Sequence, residues 1–136
     1  MTTKEQSVSL TDLQALRVYA KMVNTMNTEY LAPLLADDFI YESQVVFKPI
    51  KSKIEFLDFM NSKLETIANC RSTVFAEMGT IQAYFKRQPC IILAQDEKNN
   101  LIGIALAKVE GNKLKRIDLC IFPPPETAER SGEYPK

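Results

Sequence analysis

The side chains able to do chemistry in this chain form a narrow set. There is no histidine, so the commonest general base near neutral pH and the commonest transition-metal ligand are both missing. Acid–base work would fall to carboxylates and tyrosines, and those set within apolar stretches are Glu77, Asp118, Tyr19, Tyr41 and Tyr84. The tyrosines could orient a ligand through their hydroxyls, or pack their rings in a core with the hydroxyls reaching water. Strict alternation around Asp118 puts Ile117, Leu119 and Ile121 on one face of a strand and Arg116, Asp118 and Cys120 on the other. Asp118 is therefore expected to pair with a cation or a partner, unless a bulge reverses the register. Glu77 is open to both faces for the same reason, because Gly79 lies two residues on. Cys70, Cys90 and Cys120 lack metal-like spacing and sit among apolar residues. They read as buried, reduced thiols, with no metal or cofactor implied and a cytoplasmic setting expected.

The elements that position these groups follow from patterning. At 136 residues the chain is long enough for one real core. Its 17 basic and 17 acidic side chains cancel, which disfavours a nucleic-acid partner, since such a partner calls for a basic excess. No apolar run is long enough to span a bilayer, and Met1 to Ser9 lacks the apolar core of a secretion signal. Thr11 with Gln14 three residues on is a capping box, and Leu13, Leu16, Ala20 and Val23 recur at helical spacing behind it. A short second helix is expected after Thr28, a strand over Phe39 to Phe47, and a third helix over Ser52 to Ile67. That third helix is expected to bury Ile54, Leu57, Met60 and Leu64, flanked by Phe56 and Ile67. Period-two alternation then predicts strands at 72–85, 90–95, 101–109 and 114–122. Turns are expected at Arg87-Gln88-Pro89, Lys98-Asn99-Asn100 and Gly111-Asn112, with a bend at Gly79. The tails, 1–9 and 123–136, are polar and expected to be loosely held.

The order of helix, short helix, strand, helix and long antiparallel meander resembles the nuclear transport factor 2-like superfamily, with its ketosteroid-isomerase-like and SnoaL-like branches. Leu35-Ala36-Asp37-Asp38-Phe39 is similar to the turn that enters that family's first strand. Pro49 to Phe59 is similar to its entry into the third helix, with Lys51-Ser52-Lys53 where a glycine is usual. Asn112-Lys113-Leu114-Lys115-Arg116-Ile117 is similar to its last strand, with Asn for Gly. The resemblance covers residues 10–122. It implies an α+β fold in which three helices of the N-terminal half pack on a curved, mostly antiparallel sheet, as a cone with a pocket on the concave face.

Carried over residue by residue, the isomerase pattern places its oxyanion-binding tyrosine at Tyr19. Its general base falls at Ser43 and its second oxyanion donor at Ala105, neither of which can do that work, so steroid isomerisation is not expected. The expected pocket lining is Tyr19, Tyr41, Ser43, Met60, Ala105, Ile117, Leu119 and Ile121. The strand over 101–109 is apolar on both faces, which calls for cover on its convex side. The resemblance implies that a second copy supplies this cover, with Ile102, Ile104, Leu106 and Asp118 in the dimer interface. Two functional readings remain. One is a non-catalytic module that binds a small apolar ligand or another protein. The other is a small enzyme of the cyclase, isomerase or dehydratase kind, using Tyr19 with Asp118 or Glu77.

Overall fold

The computed structural model describes residues 10–44 and 48–136. Two α-helices, α1 (Asp12–Thr25) and α2 (Lys53–Asn69), pack on one face of a six-stranded sheet. The strands are β1 (Leu35–Ser43), β2 (Val74–Ala83), β3 (Lys86–Gln95), β4 (Leu101–Glu110), β5 (Lys113–Cys120) and β6 (Glu129–Arg130). They lie in the order β1-β5-β4-β3-β2-β6. Every pairing is antiparallel except β1 with β5, which is parallel.

The capping box at Thr11 forms in both directions. The Gln14 amide donates to the Thr11 hydroxyl at 3.1 Å, and the Thr11 amide to the Gln14 side chain at 2.9 Å. Ala15, Leu16, Tyr19, Ala20, Met22 and Val23 are the buried face of α1. Leu13, expected inside, is exposed, on the side of α1 that borders a surface groove beside β2. The expected second helix is two successive 3-10 turns, Thr28–Tyr30 and Ala32–Leu34. Thr28 ties them to α2 by donating its hydroxyl to Asn61 Oδ1 at 2.7 Å. Ser52 caps α2 by accepting from the Glu55 amide, and Phe56, Met60 and Leu64 form its buried stripe at i, i+4 spacing. Ile54 falls off that stripe and faces solvent. Phe56 sits edge-on to Phe39 of β1, with ring centroids 4.8 Å apart, an arrangement worth about 0.5–1.5 kcal/mol beyond the area it buries.

β1 starts earlier than expected, at Leu35, and the far end of the expected strand, residues 45–47, lies outside those described. The β2–β3 turn is not at residues 87–89. It is the pair Tyr84-Phe85, with φ of 53° and 66°, the left-handed pair that a two-residue hairpin needs. Pro89 lies inside β3 opposite Thr80. Counting from the hairpin, this is a position whose nitrogen turns away from β2, so the missing N–H costs that ladder nothing. Gly111 does turn the β4–β5 hairpin, at φ 62°.

The C-terminal segment, expected to be loosely held, is built into the sheet. β6 adds to the outer edge of β2, pairing Gly79 with Arg130 and Thr80 with Glu129. Gly79 makes no bulge, since β2 and β3 stay in register through it. Its role is close approach: a Cβ there would stand 2.6 Å from the Glu129 carbonyl oxygen and 2.6 Å from Ile92 Cδ1. Glu77, only 3% exposed, anchors the segment. It accepts from Arg130 Nε at 2.7 Å, from the Gly132 amide at 2.7 Å and from the Tyr134 hydroxyl at 3.2 Å. Asn24, at the end of α1, binds the Ala76 amide and carbonyl at 2.8 Å each and the Pro135 carbonyl at 2.9 Å.

On its way to β6 the segment crosses the sheet face opposite the helices. There Ile81, Ala83, Cys90, Ile92, Ile104, Leu106 and Cys120 form a second apolar cluster, with Ala128 packed against it and a 3-10 turn (Pro125–Thr127) lying on β4. Truncating Glu77 removes the acceptor for three donors, one of them cationic. Glu77→Ala is expected to lower stability by about 2–3 kcal/mol. Together with Gly79→Ala, it should open the chain after Phe122 to limited proteolysis while 10–120 stays protected, as read by mass spectrometry.

Candidate functional site

The most enclosed space is an apolar cavity of about 90 Å³ between the helices and the sheet. Tyr19 and Val23 of α1 form one wall, and Met60, Lys63, Leu64 and Ile67 of α2 another. The sheet contributes Val74, Leu93, Ile102 and Leu119. Among the described residues no carboxylate lines it, and Lys63 is the one charged side chain of the lining.

Of the residues expected to form the pocket, Tyr19, Met60 and Leu119 are in this lining. Tyr41 stands behind Tyr19, its ring between Phe56 and Phe59 with centroids at 5.3 and 5.5 Å. Ala105 and Ile117 are fully buried in the core and do not reach the cavity wall. Ser43 lies at the end of β1 in an edge groove with Glu42, Gln44 and Arg116. Ile121 lies beyond β5, half exposed, with its amide donating to Gln44 Oε1.

Sequence reasoning misplaced Ile102. A register shift between Leu93 and Ala94 leaves Ile102 as the extra residue of β4, so it turns from the face of Ile104 into the cavity lining. Gly103 beside it is the residue type that often marks a strand bulge, but strict alternation along β4 hides the shift. Lys63 was missed because a lysine on an amphipathic helix reads as solvent-facing.

The two tyrosine hydroxyls are near enough to influence each other's ionisation. Burial raises Tyr19 well above its ordinary value, and Tyr41 reinforces the shift. Burial likewise raises Tyr41, to about 12, against the opposing influence of Tyr19. Desolvation pulls the Lys63 ammonium below the usual lysine range. Cys90 is buried and pushed up to about 12 by desolvation, and Cys120 is buried and raised for the same reason. Cys70, also expected inside, is exposed at the end of α2.

The two candidate catalytic carboxylates are elsewhere. Glu77 holds the C-terminal segment. Asp118 is on the outer sheet face, where alternation put it, accepting from Arg116 Nε at 3.0 and 3.1 Å. Arg116 also pairs with Glu42. These partners are about a third to a half exposed, so the pairs add about 1 kcal/mol or less to stability. Ile104 and Leu106, expected at a dimer interface, are 0% and 4% exposed in a single chain. A larger surface groove of about 360 Å³ runs along Leu13, Arg17, Thr80 and Glu133. Its charges are already satisfied within the chain, by Arg17–Glu133, Arg87–Glu129 and Arg130–Glu77.

No family model matches the sequence, and no curated protein matches it. Solved structures do. A nuclear transport factor 2-like protein of unknown function from Cytophaga hutchinsonii superposes with a TM-score of 0.57 at 11% identity, over 82% of this chain and 90% of that one. A SnoaL-like protein of unknown function from Burkholderia thailandensis gives 0.56 at 12%, over 88% and 92%. An epoxide hydrolase from M. tuberculosis gives 0.53 at 13%, over 80% of each chain. The chain therefore has the nuclear transport factor 2-like α+β fold, a scaffold shared by enzymes and by proteins of unknown function.

The tyrosine pair predicts an alkaline limb. Both phenols ionise near 10 once unfolded, while the folded chain keeps their protons to higher pH, so above that point the unfolded state binds fewer protons. Stability should be flat with respect to these groups below pH ~9 and fall between about 10 and 12. Thermal unfolding followed from pH 8 to 12 should show this limb, and Tyr41→Phe should make it shallower.

Proposed function

We propose that this protein is a non-catalytic module that holds a small, mainly apolar ligand between α1, α2 and the sheet. The observation that carries this reading is the cavity lining: among the described residues, aliphatic and aromatic side chains, one lysine and no carboxylate. The enzyme reading would need a base or acid within hydrogen-bond reach of a substrate. Asp118 and Glu77 are both committed to arginines outside the cavity, and burial raises the Tyr19 pKa well above its ordinary value, so its hydroxyl stays protonated. The isomerase pattern keeps only its tyrosine here. At about 90 Å³ the space is below the few hundred Å³ of drug-sized pockets and below a cavity that admits benzene, about 150 Å³. The ligand is thus a few heavy atoms, or the buried end of something longer. Three unpaired cysteines suit a reducing compartment such as the cytoplasm.

Val74 borders the cavity without being fully buried, so Val74→Phe fills it at little cost to the core. In the native protein, isoamyl alcohol should shift amide resonances of Val23, Leu64 and Leu93 in a saturable way, and in Val74→Phe it should not. Absence of saturable shifts in the native protein would remove this reading.

A homodimer is the second part of the proposal, and the surface that supports it differs from the one expected. Tyr84, Phe85 and Phe122 are exposed, and Tyr84 lies beside the Arg116–Asp118 pair. Tyr84 shares a groove with Gln44, which holds the Phe122 carbonyl at 3.0 Å. Aromatic anchors with an arginine are the composition of binding hot spots, and Tyr84 and Phe85 keep a left-handed backbone while presenting their rings to water. Sedimentation equilibrium at micromolar concentration should return twice the chain mass of 15.4 kDa. Phe85→Asp should return the single mass, and a native protein that sediments as a monomer refutes the dimer.

A further inference from the structure

The cavity has one feature that a purely apolar site does not explain. Lys63 lies on its lining, yet among the described residues no carboxylate stands within ion-pair distance of its ammonium. Its one recorded neighbour of electrostatic consequence is the Phe59 ring, whose centroid is 5.7 Å away, a distance at which a cation–π contact is weak. Other cations are paired within the chain, Arg116 with Glu42 and Asp118, Arg130 with Glu77 and Lys115 with Asp38, whereas Lys63 stands beside the cavity without an acidic partner among the described residues.

A positive charge beside an apolar hole favours an occupant with a negative end and an apolar end. We infer that the cavity takes a short-chain monocarboxylate, its aliphatic tail packed on Met60, Leu64 and Leu93 and its carboxylate paired with Lys63 at the rim. This deepens the ligand-binding reading above and rests on it. Scaled against the benzene-sized cavity, the volume suits a tail of about three to five carbons. The Lys63 side chain is exposed to water along α2, and only its ammonium, lying against the apolar rim, is desolvated enough to hold its pKa below the usual lysine range. An incoming carboxylate therefore restores a partner that water no longer fully supplies.

A reactive-amine role is the nearest rival use of such a lysine. Covalent chemistry on an imine would need a second group in the cavity to move protons, and the lining offers no carboxylate or histidine for it.

Calorimetric and NMR titration of the full chain with isovalerate and with isoamyl alcohol separates tail recognition from charge recognition, because the two share one tail. Isovalerate should bind about tenfold more tightly than the alcohol, the usual effect of one charge-assisted hydrogen bond. Lys63→Met, at an exposed helical position that tolerates methionine, should bring isovalerate down to the affinity of the alcohol, and Lys63→Arg should restore the preference. Equal affinity of the two ligands in the native protein, or a preference that persists in Lys63→Met, overturns the carboxylate assignment and leaves an apolar site standing. Saturable binding by neither ligand overturns both.

Discussion

A carboxylate inside a β-sheet must be satisfied or the sheet will not hold it, and in this molecule the need falls on Glu77. It lies on β2 with its side chain almost wholly shielded from water, and its three donors all come from the C-terminal segment. Meeting that requirement brings β6 onto the edge of β2. It also draws the preceding residues across the outer sheet face, where Ala128 packs on the second apolar cluster. Gly79 is the steric half of the same arrangement, since any side chain there would strike the backbone of the arriving strand. The edge strand β2 is covered by this means, so it no longer offers an open ladder to other chains.

That docking also explains a pattern that otherwise points outside the molecule. β4 is apolar on both faces, and an apolar outer face asks for cover. Much of the cover comes from the chain itself, which leaves Ile104 and Leu106 as core residues rather than free surface. What remains exposed on the outer side is the aromatic set of Tyr84, Phe85 and Phe122, with Tyr84 beside a paired arginine, a patch of different chemistry. Asn24 closes the circuit by joining the end of α1 to β2 and to Pro135.

On the helix-covered face the same sheet supports a small cavity whose described lining is mainly apolar. Burial keeps Tyr19 and Tyr41 protonated well into the alkaline range, and the ring cluster of Phe39, Tyr41, Phe56 and Phe59 occupies the space nearer β1. The opening that remains lies between α2 and the ends of β3, β4 and β5, where the one ionic group is a lysine. The fold is shared with a hydrolase, and a shared scaffold does not by itself carry chemistry.

The sequence by itself determined what depends on local pattern. Helical spacing and the Thr11 capping box marked α1, period-two runs marked the strands of the meander, and the absence of histidine narrowed the chemistry. Alternation also placed Asp118 on the outer face beside Arg116. Three things were decided only by tertiary structure, and each depends on contacts between residues far apart in the chain. The bulge in β4 that sends Ile102 into the cavity comes from pairing with β3, which no single strand encodes. The Tyr84-Phe85 turn lacks the usual glycine or asparagine, and pairing of the flanking strands holds it in place, so Pro89 drew the expected turn away from it. The C-terminal segment looked unstructured because it is short, polar and rich in proline. Its order comes from a carboxylate 53 residues earlier in the chain, and only folding brings that partner within reach.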